Sequence, residues 1–262
     1  MSARGVQYRL GGVVALVALA AACSFGAPEA VAATRFKALQ LNLCNSGFAE
    51  CYEDGQAIGE GIERIRAENP DVVSLNEVCR DDVSRMGNQT GYSASFFPAR
   101  ERTGTSTPPY QCKNGQEYGI GFMARPDHGA PVAEPRYRWY ANQDPGTREM
   151  RVLSCGEYAS FAVCVTHLAT TGSVASKQCD ELMSDAAGYA GRKPTIVAGD
   201  LNLKYGGSPN VQPCVRGGFF RKGDGSVQHV MASTRHFGFV SSHTLPMSFT
   251  DHPGFVVILS PK

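Results

Sequence analysis

The chain has 262 residues, 42% of them apolar and 19% charged, with 25 basic against 24 acidic side chains. That length suits one large domain. The even charge balance does not mark a nucleic-acid binder, a local basic patch aside, and no repeat stands out.

At the start, Arg4 and Arg9 precede an apolar run from Leu10 to Cys23, and "APEAVAAT" follows. A positive start, an apolar middle and a small-residue cleavage site describe a secretory signal peptide over residues 1–33, cut after Ala32 or Ala33. The run of about 14 residues falls short of the ~20 that span a bilayer. The alternative takes "LAAAC" as a lipoprotein signal, with the protein anchored through Cys23. Without residues 1–33 the balance is 23 basic against 23 acidic, the chain holds no transmembrane segment, and residues 34–262 form the working domain. We expect a secreted monomer.

"FKALQLNLC" (36–44) alternates as a first strand. A helix over Gln56–Glu68 places Ile58, Ile62 and Ile65 on one face and ends at Asn69-Pro70. "DVVSLNEV" (71–78) is then a buried strand in β-α-β order. Residues 100–116, rich in Thr, Ser, Gly and Pro, read as a long surface loop whose Arg100, Arg102 and Lys113 could form a basic rim. Further strands are predicted at 118–125, 137–140, 150–156, 161–168 and "TIVAGDLN", with a helix over Val174–Tyr189 presenting Leu182, Met183, Ala186 and Tyr189 inward. "VQHVMAS", "FGFVSSHTL" and "HPGFVVILS" complete the chain. About ten strands with two helices predict an α/β (α+β) domain of two packed mixed sheets flanked by helices.

Eight cysteines remain after the leader, an even count that in an exported chain points to disulfides, and no CxxC pair favours a metal. "RVLSCGEYASFAVCVTHL" reads as a hairpin with a two-residue turn at Ala159-Ser160, which sets Cys155 opposite Cys164. Sequential order then pairs Cys44–Cys51, Cys79–Cys112 and Cys179–Cys214.

Polar residues gather where the apolar strands end: Asn42, Glu77, His167, Asp200 with Asn202, and Asp251 with His252. Alternation makes Asp200 and Asn202 project together while Leu201 turns to the core. The ordered set, quoted as "LNL", "SLNEV", "YGIGFMAR", "REMR", "VTHL", "GDLN" and "TDH", resembles the endonuclease/exonuclease/phosphatase superfamily, the deoxyribonuclease I-like fold, over residues 36–260.

The resemblance implies a four-layer sandwich and metal-assisted hydrolysis of a phosphate ester. Glu77 would be the main ligand of Mg2+ (or Mn2+ or Ca2+), helped by Asn42 and Asp251. Asp200, held by Asn202, would deprotonate the attacking water. His167 would give a proton to the leaving group, and His252 would assist at the phosphate. Arg151 and Tyr118 would face the substrate. Relatives place an aspartate in a D-H-[IV] pattern to orient the last histidine, where this chain has Gln228; Glu117 would partner His167. A DNA or RNA nuclease leads, ahead of a phosphomonoesterase or a lipid phosphoesterase; an inactive exported binding or toxin subunit is the reading of another class. A zinc hydrolase is disfavoured by the lack of HExxH or clustered histidines.

Overall fold

Strand alternation decides the layers. In β1 (Phe36–Asn42), Ala38 faces one side and Leu39 and Leu41 the other. The second set packs on Ile58, Ile62 and Ile65 of α1 (Gln56–Glu68), at the spacing expected of a helix laid on a sheet. Asn69 ends α1 in the left-handed region, its N–H bonding to Ile65 O at 2.8 Å, and Pro70 prevents continuation. β2 (Val72–Cys79) lies parallel to β1, so the β-α-β order holds.

α2 (Arg80–Thr90), unpredicted, follows β2 without a linker. It is mostly polar, burying only Val83, Met86 and Gly87, and Asp82 accepts the Cys79 N–H at 2.9 Å to start it. β3 (Ser93–Pro98) and β4 (Arg100–Glu101), neither predicted, β5 (Tyr118–Ala124), β6 (Arg136–Trp139), β7 (Glu149–Met150), β8 (Val152–Glu157) and β9 (Ala162–His167) come next. α3 (Gly172–Ala190), β10 (Thr195–Asp200), β11 (Phe219–Gly223, also unpredicted), β12 (Gln228–Ser233), β13 (Phe237–Leu245) and β14 (Gly254–Pro261) complete the computed structural model. It describes residues 1–3, 5, 7 and 35–262. The body of the predicted leader, Cys23 and both cleavage points lie outside the described residues. Among those described, no helix is long and apolar enough to cross a membrane.

Two six-stranded mixed sheets result, ordered β13-β14-β1-β2-β5-β3 and β11-β12-β10-β9-β8-β6. Their facing sides share one core, from Ala38 and Phe122 to Val163, Ile196 and Val257. A second core lies under α1 and α2, and a third under α3, where Leu182 and Met183 meet Val197 and Leu201. The outcome is the predicted four-layer sandwich, with each helix layer outside its sheet.

β8 and β9 form the predicted hairpin, with Cys155 paired to Cys164 and the Tyr158 N–H bonded to Phe161 O across the two-residue turn. Disulfides also join Cys44–Cys51, Cys79–Cys112 and Cys179–Cys214. The 100–116 segment is tied down by Cys112 and by pairing of β4 with β7. Its basic rim is partly spent: the Arg100 guanidinium stacks 3.7 Å over Trp139, and Arg102 donates to Asp144 O.

Candidate active site

One rule of parity builds the site. Gln40 and Asn42 on β1, Asn76 on β2, His167 on β9, Asp200 on β10 and Gln228 on β12 share the side of their strands that faces the other sheet. The apolar core between the sheets therefore runs out into a polar layer at one end. Its amides sew the sheets together. Gln40 Nε2 donates to Asn76 Oδ1 (2.7 Å) and Gln228 Oε1 (2.8 Å). Asn76 Nδ2 donates to Thr166 O (2.8 Å), and Asn76 Oδ1 also accepts the Asp200 N–H (2.7 Å). All three amides are buried, where leaving a partner unmade costs about 1–3 kcal/mol.

Asp200 sits within a shell of donors. Its Oδ1 accepts from the Asn202 N–H (2.9 Å), and its Oδ2 from Gln228 Nε2 (2.9 Å) and Asn42 Nδ2 (3.2 Å), with His252 Nε2 3.5 Å away. Burial pushes its pKa above the ordinary carboxylate value, against the opposing pull of His252 and these bonds. Gly199 explains how β10 approaches β9 so closely: a Cβ there would collide with the Thr166 carbonyl.

Glu77 reaches the cleft against alternation. Its odd-numbered neighbours Val73 and Leu75 face α1, but the register of β2 on β5 shifts between Asn76 and Val78, and Glu77 takes φ +55°. This bulge re-aims the carboxylate beside Asn42. A left-handed non-glycine costs about 1–3 kcal/mol, a strain that collects at functional sites. Asn202, at φ +48°, is a second case. Glu77 Oε1 accepts from Asn42 Nδ2 at 2.8 Å, and burial raises its pKa, opposed by Asn42 and Arg151.

The cleft, about 470 Å3, is lined by Glu77, Tyr118, Arg151, His167, Asp200, Asn202, Asp251 and His252, so eight predicted residues meet there. Asn42 and Gln228 lie behind it. Glu149 and Tyr110 also line it and were not predicted; Glu149, inside the quoted "REMR", pairs with Arg151 at 3.1 Å. The Arg151 pKa is raised: burial alone would lower it, and Glu149, Tyr118 and Glu77 outweigh that. A larger groove of about 1150 Å3 between β6 and α3 contains none of these groups.

Four assigned roles change. Gln228 holds Asp200 and Gln40, not His252, because its strand parity aims it between the sheets. The Asn202 side chain serves His167: its Nδ2 donates to Leu168 O (2.9 Å) and lies 3.2 Å from His167 Nε2, while only its backbone holds Asp200. Glu117 is turned outward into an ion pair with Arg80. Asn42 points its amide nitrogen at Glu77 and Asp200, and its Oδ1 accepts the Cys44 N–H, so it fixes carboxylates rather than lending an oxygen. Asp251 stands at the rim, its side chain 57% exposed, 3.7 Å from His252 Nε2.

His167 is buried, and burial, with Arg151 and His252 nearby, holds its pKa well below 6.5. The Asn202 amide donates toward Nε2, which leaves the proton on Nδ1; Nδ1 has no partner among the described residues. Behind the site, buried His229 props the loop after Asp200, with Nε2 2.7 Å from Leu203 O, and burial lowers its pKa to about 4. The unfolded chain takes up this proton near pH 6.5. Stability therefore declines as pH falls from about 6.5 to 4 and this contribution is flat below, a loss of about 3 kcal/mol. Guanidinium denaturation at pH 7 and pH 4 should show that loss in the native protein and a smaller one in His229→Gln; equal losses would refute the assignment.

The donor set fits a hard divalent cation. Two carboxylates, the partly buried Glu77 and the buried Asp200, share one neutral amide, and among the described residues no protein donor reaches Glu77 Oε2.

Residues 59–252 match the family model described as Endonuclease/Exonuclease/phosphatase family. None of the curated proteins matches the sequence. Among solved structures, an endonuclease/exonuclease/phosphatase from Beutenbergia cavernae is similar at 21% identity and TM-score 0.68, covering 87% of this chain and 72% of that one. The human Nocturnin catalytic domain with bound sulfate is 19% identical at TM-score 0.66, covering 87% and 94%. A Bacteroides thetaiotaomicron mannosyl-6-phosphatase is 14% identical at TM-score 0.63, covering 86% and 99%. The chain belongs to the endonuclease/exonuclease/phosphatase family, whose enzymes hydrolyse phosphate esters with a divalent metal.

Proposed function

We propose that this chain is a secreted, Mg2+-dependent phosphodiesterase that cuts nucleic acid. The observation that carries the reading is the donor-ringed Asp200 beside the re-aimed Glu77, faced by His252 and His167. Glu77 would hold the ion, with Asn42 fixing its carboxylate. An ion held there neutralises charge on the phosphate and on the departing oxygen. Asp200 takes the proton of the attacking water, a task its donor shell and His252 keep it ionised to perform. His167, neutral in the free protein, gains a counter-charge when a phosphate enters; its pKa then rises, and it can carry a proton to the leaving group.

Charge supports a diester over a monoester. Among the described residues Arg151 is the one arginine or lysine lining the cleft, and Glu149 already offsets it. A singly charged diester suits that balance better than a dianion. Tyr110 and Phe48 line the same cleft and offer surface to bases. The four disulfides favour an exported protein.

The purified protein should nick plasmid DNA or degrade RNA with Mg2+ and stop on chelation. Mg2+ should raise its Tm, and Glu77→Gln should abolish that shift. Cleavage that persists in chelator would sink the metal reading. Turnover confined to a phosphomonoester or sphingomyelin would sink the nuclease reading.

A further inference from the structure

Tyr205 stands three residues beyond Asn202, on the loop that leaves β10, and is 68% exposed. Its ring is held in place. The Arg221 guanidinium lies over it, 4.8 Å from the centroid. Arg221 is itself fixed: its Nη1 is 3.1 Å from Nδ1 of the buried His229, and its Nε donates to Gln212 Oε1 at 3.4 Å. His229 Nε2 closes the circuit at Leu203 O, two residues before Tyr205. The turn beyond is pinned by Asn210 Oδ1, which accepts the Gly206 and Gln212 N–H groups.

One face of the tyrosine is thus backed by a cation and the other is open to solvent. Charge adds a second observation. Lys204 and Arg221 form no ion pair among the described residues, whereas Lys222, on the other face of β11, holds its ammonium 3.6 Å from the centroid of the Phe239 ring. Asp224 nearby accepts the Ser226 and Gln228 N–H groups on its Oδ1. An aromatic face among unpaired cations matches what a single nucleic-acid strand offers, a base to stack and phosphates to neutralise. Five residues, at most about 17 Å of chain, separate Tyr205 from Asp200, a distance that a strand of a few nucleotides bound at the cleft covers.

We infer that Tyr205, backed by Arg221, is the stacking platform for a base near the scissile phosphate, with Lys204 serving an adjoining phosphate. This rests on the nuclease reading and deepens it. A lipid surface is the less favoured occupant, because a single tyrosine with its guanidinium offers little apolar area to insert.

Binding is measured on the full protein in chelator, by anisotropy of fluorescein-labelled oligodeoxythymidylate and of an abasic oligomer of equal length. Tyr205→Ala should weaken thymidylate binding about tenfold, within the range for stacking one base, and leave the abasic oligomer unchanged. Tyr205→Trp should restore affinity, and its fluorescence should be quenched as thymidylate binds. With Mg2+, kcat/KM on bis(4-nitrophenyl) phosphate should be the same in Tyr205→Ala and the native protein. Equal affinity of Tyr205→Ala and the native protein for thymidylate, equal losses on both oligomers, or a loss seen only with phosphatidylcholine vesicles overturns the platform. If the native protein cuts no nucleic acid with Mg2+, the nuclease reading fails first; if it cuts and Tyr205→Ala matches it in every assay, the platform alone fails.

Discussion

Asp200→Asn should lower kcat on a phosphodiester by about a thousandfold, with KM nearly unchanged. The size follows from the role, since a positioned general base contributes about 10²–10⁴-fold. The split follows too, because a group that acts on the attacking water is used in the transition state and little in binding. The substitution also tests the environment. Asn202 N, Gln228 Nε2 and Asn42 Nδ2 all donate to this carboxylate. A carboxamide must set its own NH2 against at least one of them, at a cost of about 1–3 kcal/mol. Asp200→Asn should therefore be both inactive and less stable by denaturant unfolding. His167→Ala makes the contrast. Its Nδ1 lacks a partner and its Nε2 meets only the edge of the Asn202 amide, so activity should fall by a similar factor while the polar network behind Asp200 stays intact. More than a tenth of native turnover in Asp200→Asn would remove it from the role of base.

The elements that were legible in sequence are those whose pattern is local. Ile58, Ile62 and Ile65 declare α1 through helical spacing, and the turn between Cys155 and Cys164 declares its hairpin through length alone. α2 escaped because "RDDVSRMGNQT" buries just three residues and abuts a strand without punctuation. β11 escaped because "FFRKG" is short and follows two glycines. For the site, the ordered polar strand ends located the cleft, but partner choice across the sheets was not readable. Gln40 and Gln228 are 188 positions apart, and only sheet packing brings them within 2.8 Å. Alternation even misdirects at Glu77: a strand continued past Asn76 would turn its side chain under the helices, and one bulge reverses that. Asn202 likewise leaves the strand path, so the expected pairing of its side chain with Asp200 becomes a bond to the end of the neighbouring strand β9.

Gln228→Glu should move the acidic limb of the kcat profile upward by a pH unit or more. The change preserves length, so the introduced carboxylate can still accept from Gln40 Nε2, which now donates to Gln228 Oε1. Its other oxygen replaces the Nε2 that lies 2.9 Å from Asp200 Oδ2. Two buried carboxylates at that separation cannot both ionise in the ordinary range; they share a proton and titrate as a pair, with the second step pushed up. Asp200 already carries a burial-raised pKa, so the pair holds its proton further toward neutrality and the base is lost over that interval. The stability effect has the same origin. A carboxylate whose folded pKa exceeds its unfolded value stabilises fully below the unfolded pKa, near 4, and loses that contribution as pH rises through the folded value. Gln228→Glu should thus approach native stability in acid and fall progressively below it toward neutrality. Gln228→Met, similar in shape but unable to bond, should instead lose about 2–4 kcal/mol at neutral pH, since it leaves one Gln40 Nε2 N–H without its acceptor and removes a donor from Asp200. Had Gln228 oriented His252, the new carboxylate would favour the imidazolium and leave Asp200 untouched. An unmoved acidic limb in Gln228→Glu would therefore return the glutamine to His252 and break the link between the two sheets and the base.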